Sequence, residues 1–141
     1  MRVILSLILV LFIGVAQAQS VTGLWKTIDD ESGVEKSIVE IYQQDGKLYG
    51  KVKTILNKER ADVICDRCDG DKKDQPVQGL VIIEDMVIDG DEYSGGTILD
   101  PEKGKEYKCK LWVDADNPDI LNVRGYVAFF YRTQYWKRVQ E

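Results

Sequence analysis

The 141-residue sequence contains no histidine. Histidine is the side chain most often used for proton transfer near neutral pH, so its absence excludes Ser-His-Asp and Cys-His mechanisms. It also excludes every metal site that needs an imidazole ligand. Phosphate-binding loops are absent as well, because Gly95-Gly96 lies in no Gly-Lys-Ser/Thr motif. We therefore predict no catalytic residue, no bound metal and no cofactor.

Positive charge is scarce. Nineteen lysines and arginines stand against 24 aspartates and glutamates. Nucleic acids and anionic membrane surfaces are both bound through basic faces. The net charge of −5 therefore predicts that neither is a partner. It indicates an acidic, soluble protein, and no protein partner can be named from it.

Long apolar runs are missing with one exception, which lies at the N-terminus. Val3–Val15 is almost entirely apolar, follows the basic Met1-Arg2 and precedes the small-x-small sequence Ala16-Gln17-Ala18. This pattern predicts a cleaved signal peptide over residues 1–18 and a single mature domain over residues 19–141. The run is shorter than the roughly 20 residues of a membrane span, so we expect no membrane insertion after cleavage. The predicted location is the periplasm or the exterior of the cell.

The mature region shows no long helical periodicity but alternates apolar and polar residues between regularly spaced turns. This pattern is typical of short antiparallel strands, and Asp45-Gly46 is a strong hairpin signal. We predict an all-β fold, a compact up-and-down antiparallel β-barrel of about eight strands, because closure removes exposed edges. The predicted strands are 23–27, 37–43, 47–55, 80–83, 93–99, 105–113, 120–127 and 134–139, with a long loop over 56–78.

Cys65 and Cys68 lie three positions apart inside that long loop. A redox-active pair needs a lowered thiol pKa, but the many aspartates around the pair favour the neutral thiol. A zinc site needs about four ligands, and the pair supplies two. A local disulfide is the favoured interpretation in an oxidising compartment. Cys109 would then be a free core cysteine, although a pairing of Cys65 or Cys68 with Cys109 stays open.

Gly23-Leu24-Trp25 near the mature start and Trp136-Lys137-Arg138 near the end resemble the pattern of lipocalins and other calycins. The whole mature region resembles the DUF2147 family of uncharacterised secreted bacterial proteins. The stretches that carry this resemblance are GLWKTIDD, VEIYQQDGKLYGKV, the CDRC loop, GGTILDPEKGKEYKCKL, LNVRGY and the terminal WKR. The resemblance implies an exported lipocalin-like barrel without an established activity, in which Trp25 packs against Arg138 at one barrel end.

The main functional hypothesis is non-catalytic binding of a small, apolar ligand in the barrel mouth. Tyr107, Arg124 and Tyr126 are the candidate ligand contacts. Strand alternation places Arg124 on the surface, opposite Leu121 and Val123, and only a shift in register at Gly125 would turn it inward. Two alternatives are an envelope interaction or maintenance protein with a filled barrel, and a thiol–disulfide redox protein that uses Cys65 and Cys68.

Overall fold

The computed structural model describes residues 20–140. The predicted signal peptide, residues 1–18, lies outside the described residues, as do Gln19 and Glu141. Among the residues described, no helix combines the length and the hydrophobicity needed to cross a membrane.

Eight antiparallel strands form a closed barrel in which each strand pairs with the next and the last pairs with the first. The closing contact joins Trp25 to Arg138 and Lys26 to Lys137. The predicted fold class is thus confirmed. The strands are β1 (Gly23–Ile28), β2 (Glu35–Gln44), β3 (Lys47–Ile55), β4 (Val81–Asp89), β5 (Glu92–Asp100), β6 (Lys105–Val113), β7 (Ile120–Val127) and β8 (Phe130–Arg138).

Side chains that alternate inward fill one half of the barrel. The two-residue period of a strand sends every second side chain to the interior, and the apolar positions follow that period. Leu48 and Val52 on β3 and Cys109 and Leu111 on β6 are buried, as their alternation predicts. The largest of the fully buried residues are Trp25, Trp136, Ile41, Leu48, Ile83, Met86, Leu111, Leu121, Val39 and Cys65.

The largest differences from the predicted strand bounds are in β4 and β8. The β4 strand runs to Asp89, through a bulge at Asp85 whose φ is 58°. The charged pair Glu84-Asp85 breaks the alternation at this bulge, which hides the second half of the strand. The β8 strand begins at Phe130, since Val127 pairs with Phe130 across a two-residue turn.

The connections alternate between the two ends of the barrel. We call the end that carries the β1–β2, β3–β4, β5–β6 and β7–β8 connections the mouth. The opposite end, with the β2–β3, β4–β5 and β6–β7 connections, is the closed end.

The β3–β4 connection, residues 56–80, is the longest, and we call it the cysteine loop. It contains two 3₁₀ turns, Lys58–Arg60 and Gly70–Lys72. A bridge between Ile64 and Pro76 holds its two limbs together. Lys72 of this loop lies 3.1 Å from Glu84 on β4 and 3.9 Å from Glu106 on β6, so the loop crosses the outer face of β5.

Candidate functional site

The half of the barrel towards the mouth is not filled by side chains. It contains a cavity of about 1120 Å³, which is well above the roughly 300 Å³ at which small-ligand sites begin. Gly125 helps to leave this space open, because its missing side chain would point between Tyr107 and Ile98. The apolar part of the wall includes Val52, Ile55, Ile82, Ile98, Val123 and Trp136.

Inside the charged rim, the cavity contains two hydrogen-bonded pairs of polar side chains. The indole N–H of Trp136 donates a hydrogen bond of 3.2 Å to Oε1 of Gln134. The hydroxyls of Thr27 and Ser37 are hydrogen-bonded at 2.7 Å across the β1–β2 pair. The ring of Tyr107 also lines the cavity. An apolar wall with a small number of fixed polar groups is typical of sites for small organic ligands.

Charged residues surround the rim, and several form ion pairs. Lys36 on β2 donates to Oε1 of Glu102 in the β5–β6 turn at 2.7 Å. This hydrogen bond is the main reason why the pKa of Glu102 lies below its ordinary value. Arg132 on β8 forms an ion pair with Asp30 in the β1–β2 connection. These pairs join connections that are far apart in the sequence, and they fix the shape of the mouth.

The cysteine loop forms one side of the mouth and is docked on the β5–β6 turn. Gly104 in that turn has a φ of 67°, and a Cβ atom there would lie 2.0 Å from the carbonyl oxygen of Arg67. The two backbones therefore touch at a position that only glycine permits. Sγ of Cys65 lies 3.5 Å from the carbonyl oxygen of Pro101 in the same turn.

Cys65 and Cys68 form the local disulfide, with their Cα atoms 5.3 Å apart. The favoured pairing is therefore confirmed, and the pairing with Cys109 is wrong. Both cysteines are buried, with exposed fractions of 0% and 2%. Sulfurs that are bonded to each other and buried are not free to bind zinc, and they are shielded from a thiol substrate.

Cys109 is the free cysteine among the described residues and is buried on the inner face of β6. Burial raises the pKa of its thiol to about 12. A thiol in this environment stays protonated at neutral pH and acts as a small apolar side chain.

Of the three predicted ligand contacts, the structure places only Tyr107 in the cavity. Arg124 and Tyr126 lie on the outer face, because the register from Cys109–Gly125 to Lys110–Arg124 continues without a bulge. The shift at Gly125 that would have turned Arg124 inward does not occur. The Arg124 guanidinium instead lies 4.2 Å from the centre of the Tyr131 ring and 5.0 Å from that of Trp112.

Trp25 and Arg138 lie together at the closed end, away from the cavity. The guanidinium of Arg138 is 4.2 Å from the centre of a Trp25 ring that is completely buried. Its Nη2 donates to the carbonyl oxygens of Ser20 at 2.9 Å and Pro118 at 3.1 Å. Arg138 thus covers Trp25 and connects the segment before β1 to the β6–β7 connection.

Sequence analysis missed Gln134, Arg132 and the pair Lys36–Glu102. Once β8 is known to begin at Phe130, the inward positions of Arg132 and Gln134 follow, because alternate residues from Phe130 to Arg138 face inward. The exposed apolar start of β8 concealed this parity. Contact between Lys36 and Glu102, 66 positions apart, has no signal in a single sequence.

Comparisons with known proteins agree with this geometry. Residues 23–138 match the family model described as "Uncharacterized protein conserved in bacteria (DUF2147)". The solved structure of protein HP1028 from the human pathogen Helicobacter pylori, described as belonging to the lipocalin family, superposes with a TM-score of 0.73. The two chains are 18% identical over 86% of this chain and 84% of that one, which establishes the fold alone. No curated protein matches the chain.

Proposed function

The chain belongs to the DUF2147 family of uncharacterised bacterial proteins, and we propose that it binds a small apolar or amphipathic molecule in the cavity at the barrel mouth. The observation that carries this proposal is the cavity of about 1120 Å³ with its largely apolar wall. The filled barrel of the alternative hypothesis matches only the closed half. The proposed role is non-catalytic and lies in the periplasm or outside the cell.

The wall chemistry supports the choice of ligand class. Apolar surface is the main source of affinity when a ligand leaves water, at about 25 cal/mol per Å² buried. Oε1 of Gln134 accepts from Trp136, and the hydroxyls of Thr27 and Ser37 are bonded to each other. A ligand with many polar groups would lose its water without full compensation. The ligand therefore carries its apolar part inside and any charged group at the rim.

The experiment measures binding of the neutral fluorescent probe N-phenyl-1-naphthylamine. Wild-type protein should enhance its fluorescence saturably. Gly125→Phe should weaken binding about tenfold or more, because the new ring enters the cavity between Tyr107 and Ile98. Tyr126→Leu is the matched control on the same strand but on the outer face, and it should bind like wild type.

Saturable binding that is unchanged by Gly125→Phe would show that the probe uses another surface. No binding of the probe by folded wild-type protein would contradict the proposal directly. Native mass spectrometry of protein purified from its own periplasm then identifies any retained molecule.

The redox alternative is tested separately by insulin reduction, for which we expect no turnover with wild type or Cys65→Ser because the disulfide is buried.

A further inference from the structure

The tip of the β7–β8 hairpin, residues 127–131, is the most exposed apolar segment among the described residues. Phe129 is 99% exposed and Phe130 76% exposed. Val127 and Tyr131 are also exposed. Ala128 in the turn has a φ of 51°, a conformation that costs energy for any residue other than glycine. These apolar side chains are not buried in the free protein, so the tip indicates an interaction surface.

The two strands that carry this tip contain no acidic residue, and the acidic side chains of Asp30 and Glu31 beside it pair with Arg132. Ile120–Arg138, which covers β7, β8 and their turn, contains none of the 24 aspartates and glutamates. The neighbouring outward positions of β6 from 108 to 112 hold two lysines and a tryptophan. We call this outer face the basic wall. Its charged and aromatic residues are Lys108, Lys110, Trp112, Arg124, Tyr126, Tyr131, Tyr135 and Lys137. Lys110 at its edge pairs with Glu92 of β5 at 3.0 Å.

From these observations we propose that the tip and the basic wall dock on the surface of an anionic lipid bilayer, with Phe129 and Phe130 inserted among the lipids. The net charge of −5 predicted no such partner, but net charge does not describe how the charges are distributed. Basic residues near a membrane surface are attracted to anionic headgroups, and tyrosine and tryptophan favour the interface between headgroups and acyl chains.

The shape of the tip favours a bilayer over a protein partner. The two-residue turn between Val127 and Phe130 leaves the side chains of Phe129 and Phe130 largely uncovered by the rest of the protein. A fluid apolar phase can surround such a surface, whereas a protein would need a matching pocket. The position of the tip agrees with this choice. Val127 and Arg132 belong to the hairpin and also line the cavity, so a docked tip brings the mouth next to the bilayer.

The experiment is flotation of full-length mature protein with vesicles of phosphatidylcholine alone or of an equal mixture with phosphatidylglycerol. Wild type should float with the anionic vesicles and much less with the neutral ones. Added salt should weaken binding, because exposed charges are screened. Phe129→Ser/Phe130→Ser should bind about tenfold more weakly, since each ring leaves the apolar phase. Lys108→Gln should reduce affinity about fivefold.

The closed end provides matched controls. Ile88 is 66% exposed on β4 next to the turn at that end, and Lys47 begins β3 at the same end. Ile88→Ser and Lys47→Gln should leave flotation unchanged. Absence of wild-type flotation, or an equal effect of the control variants, overturns the proposal. So does a concentration-dependent dimer that is lost in Phe129→Ser, because the tip would then contact a second copy.

The tip variants should still bind N-phenyl-1-naphthylamine in solution, since neither phenylalanine lines the cavity. Failure of membrane docking is therefore distinguishable from failure of ligand binding. Loss of flotation with intact probe binding in these variants supports docking through the tip.

Discussion

At the scale of single residues, Gly104 fixes the position of the cysteine loop. Its φ of 67° and the 2.0 Å approach of the Arg67 carbonyl oxygen to an added Cβ leave no room for a side chain. We predict that Gly104→Ala lowers the free energy of unfolding by about 3 kcal/mol through backbone strain and displacement of the loop. Urea denaturation followed by tryptophan fluorescence measures this change.

Gly33 is the matched control for this prediction. It has a φ of 73° in the β1–β2 connection, but no atom lies within 4 Å of its added Cβ. Gly33→Ala should therefore cost only the strain of a left-handed alanine, about 1 kcal/mol. Equal losses in the two variants would mean that the Arg67 contact does not hold the loop.

Cys109 gives a second prediction, on the dependence of stability on pH. Its thiol pKa is raised from 9.0 to about 12 by burial, so the thiol ionises in the unfolded chain before it ionises in the folded one. Its contribution to stability is complete below 9.0 and falls by about 1.4 kcal/mol per pH unit above that value.

Cys109→Ala lacks this ionisation while it keeps the lysines and tyrosines that titrate in the same range. The difference in free energy of unfolding between wild type and Cys109→Ala should therefore shrink as the pH rises above 9.0. A constant difference would contradict the burial of the thiol. The native protein should also react with a thiol reagent only after denaturant is added.

Residue parity explains which candidate contacts could be predicted. The pattern Tyr107, Cys109, Leu111 identified the inner face of β6 correctly, and Leu121 with Val123 did the same for β7. The same alternation places Arg124 and Tyr126 on the outer face of the barrel. The chemistry of these side chains alone does not reveal that position. A tyrosine favours a strand on either face, so its presence does not identify a ligand contact.

At the scale of elements, the cysteine loop is held by its disulfide and by docking on the β5–β6 turn. Cys65→Ala/Cys68→Ala should lower the free energy of unfolding by about 2 kcal/mol, the loop-closure contribution expected for a four-residue loop. Chemical denaturation under non-reducing conditions measures the loss. Cys109→Ala is the control that removes a buried sulfur and leaves the loop bonded.

Burial of the disulfide gives a further prediction for this loop. Because the two sulfurs are shielded from solvent, a reductant should break the bond slowly in the native protein and rapidly after unfolding. Rapid reduction of the folded protein would mean that the loop opens readily, and it would restore the thiol–disulfide hypothesis.

The sequence predicted a long constrained loop but not where it packs. The acidic residues around Cys65 and the missing histidines argued against redox and zinc chemistry. Both features can be read from the sequence without knowledge of the fold. Contact with Pro101 and Gly104 depends on pairing between distant segments, because it requires β5 and β6 to be placed beside β3 and β4 first. The start of β8 was predicted too late for a local reason, because its first residues, Phe130 and Tyr131, are both apolar and exposed and show no alternation.

At the scale of the whole molecule, alternation and turn spacing were sufficient for the barrel but not for its cavity. The closed half is filled because large residues such as Trp25 and Met86 face inward there. Whether the other half is filled depends on the volumes that meet at one level of the barrel, including the missing side chain of Gly125. The alternation along a strand shows which side chains face inward. The volume that they leave unfilled at each level of the barrel depends on the register of all eight strands.

The mouth itself carries the last prediction. In an eight-stranded barrel closed in sequence order, β2 lies opposite β6, so the ion pair between Lys36 and Glu102 spans the opening. The hydrogen bond from Lys36 lowers the pKa of Glu102, and the pair persists until the pH falls below the ordinary range of a carboxyl group. Entry and exit of a ligand should therefore be slow at neutral pH and faster once Glu102 is protonated.

Glu102→Gln removes the charge and should give the fast exchange rate at neutral pH, with an unchanged equilibrium affinity for N-phenyl-1-naphthylamine. Stopped-flow fluorescence measures both association and dissociation rates. Glu40→Gln is the matched control, because Glu40 pairs with Lys53 at 2.9 Å on the barrel wall rather than across the mouth. If Glu102→Gln changes only one of the two rates, and with it the affinity, the pair contacts the ligand instead of obstructing its path.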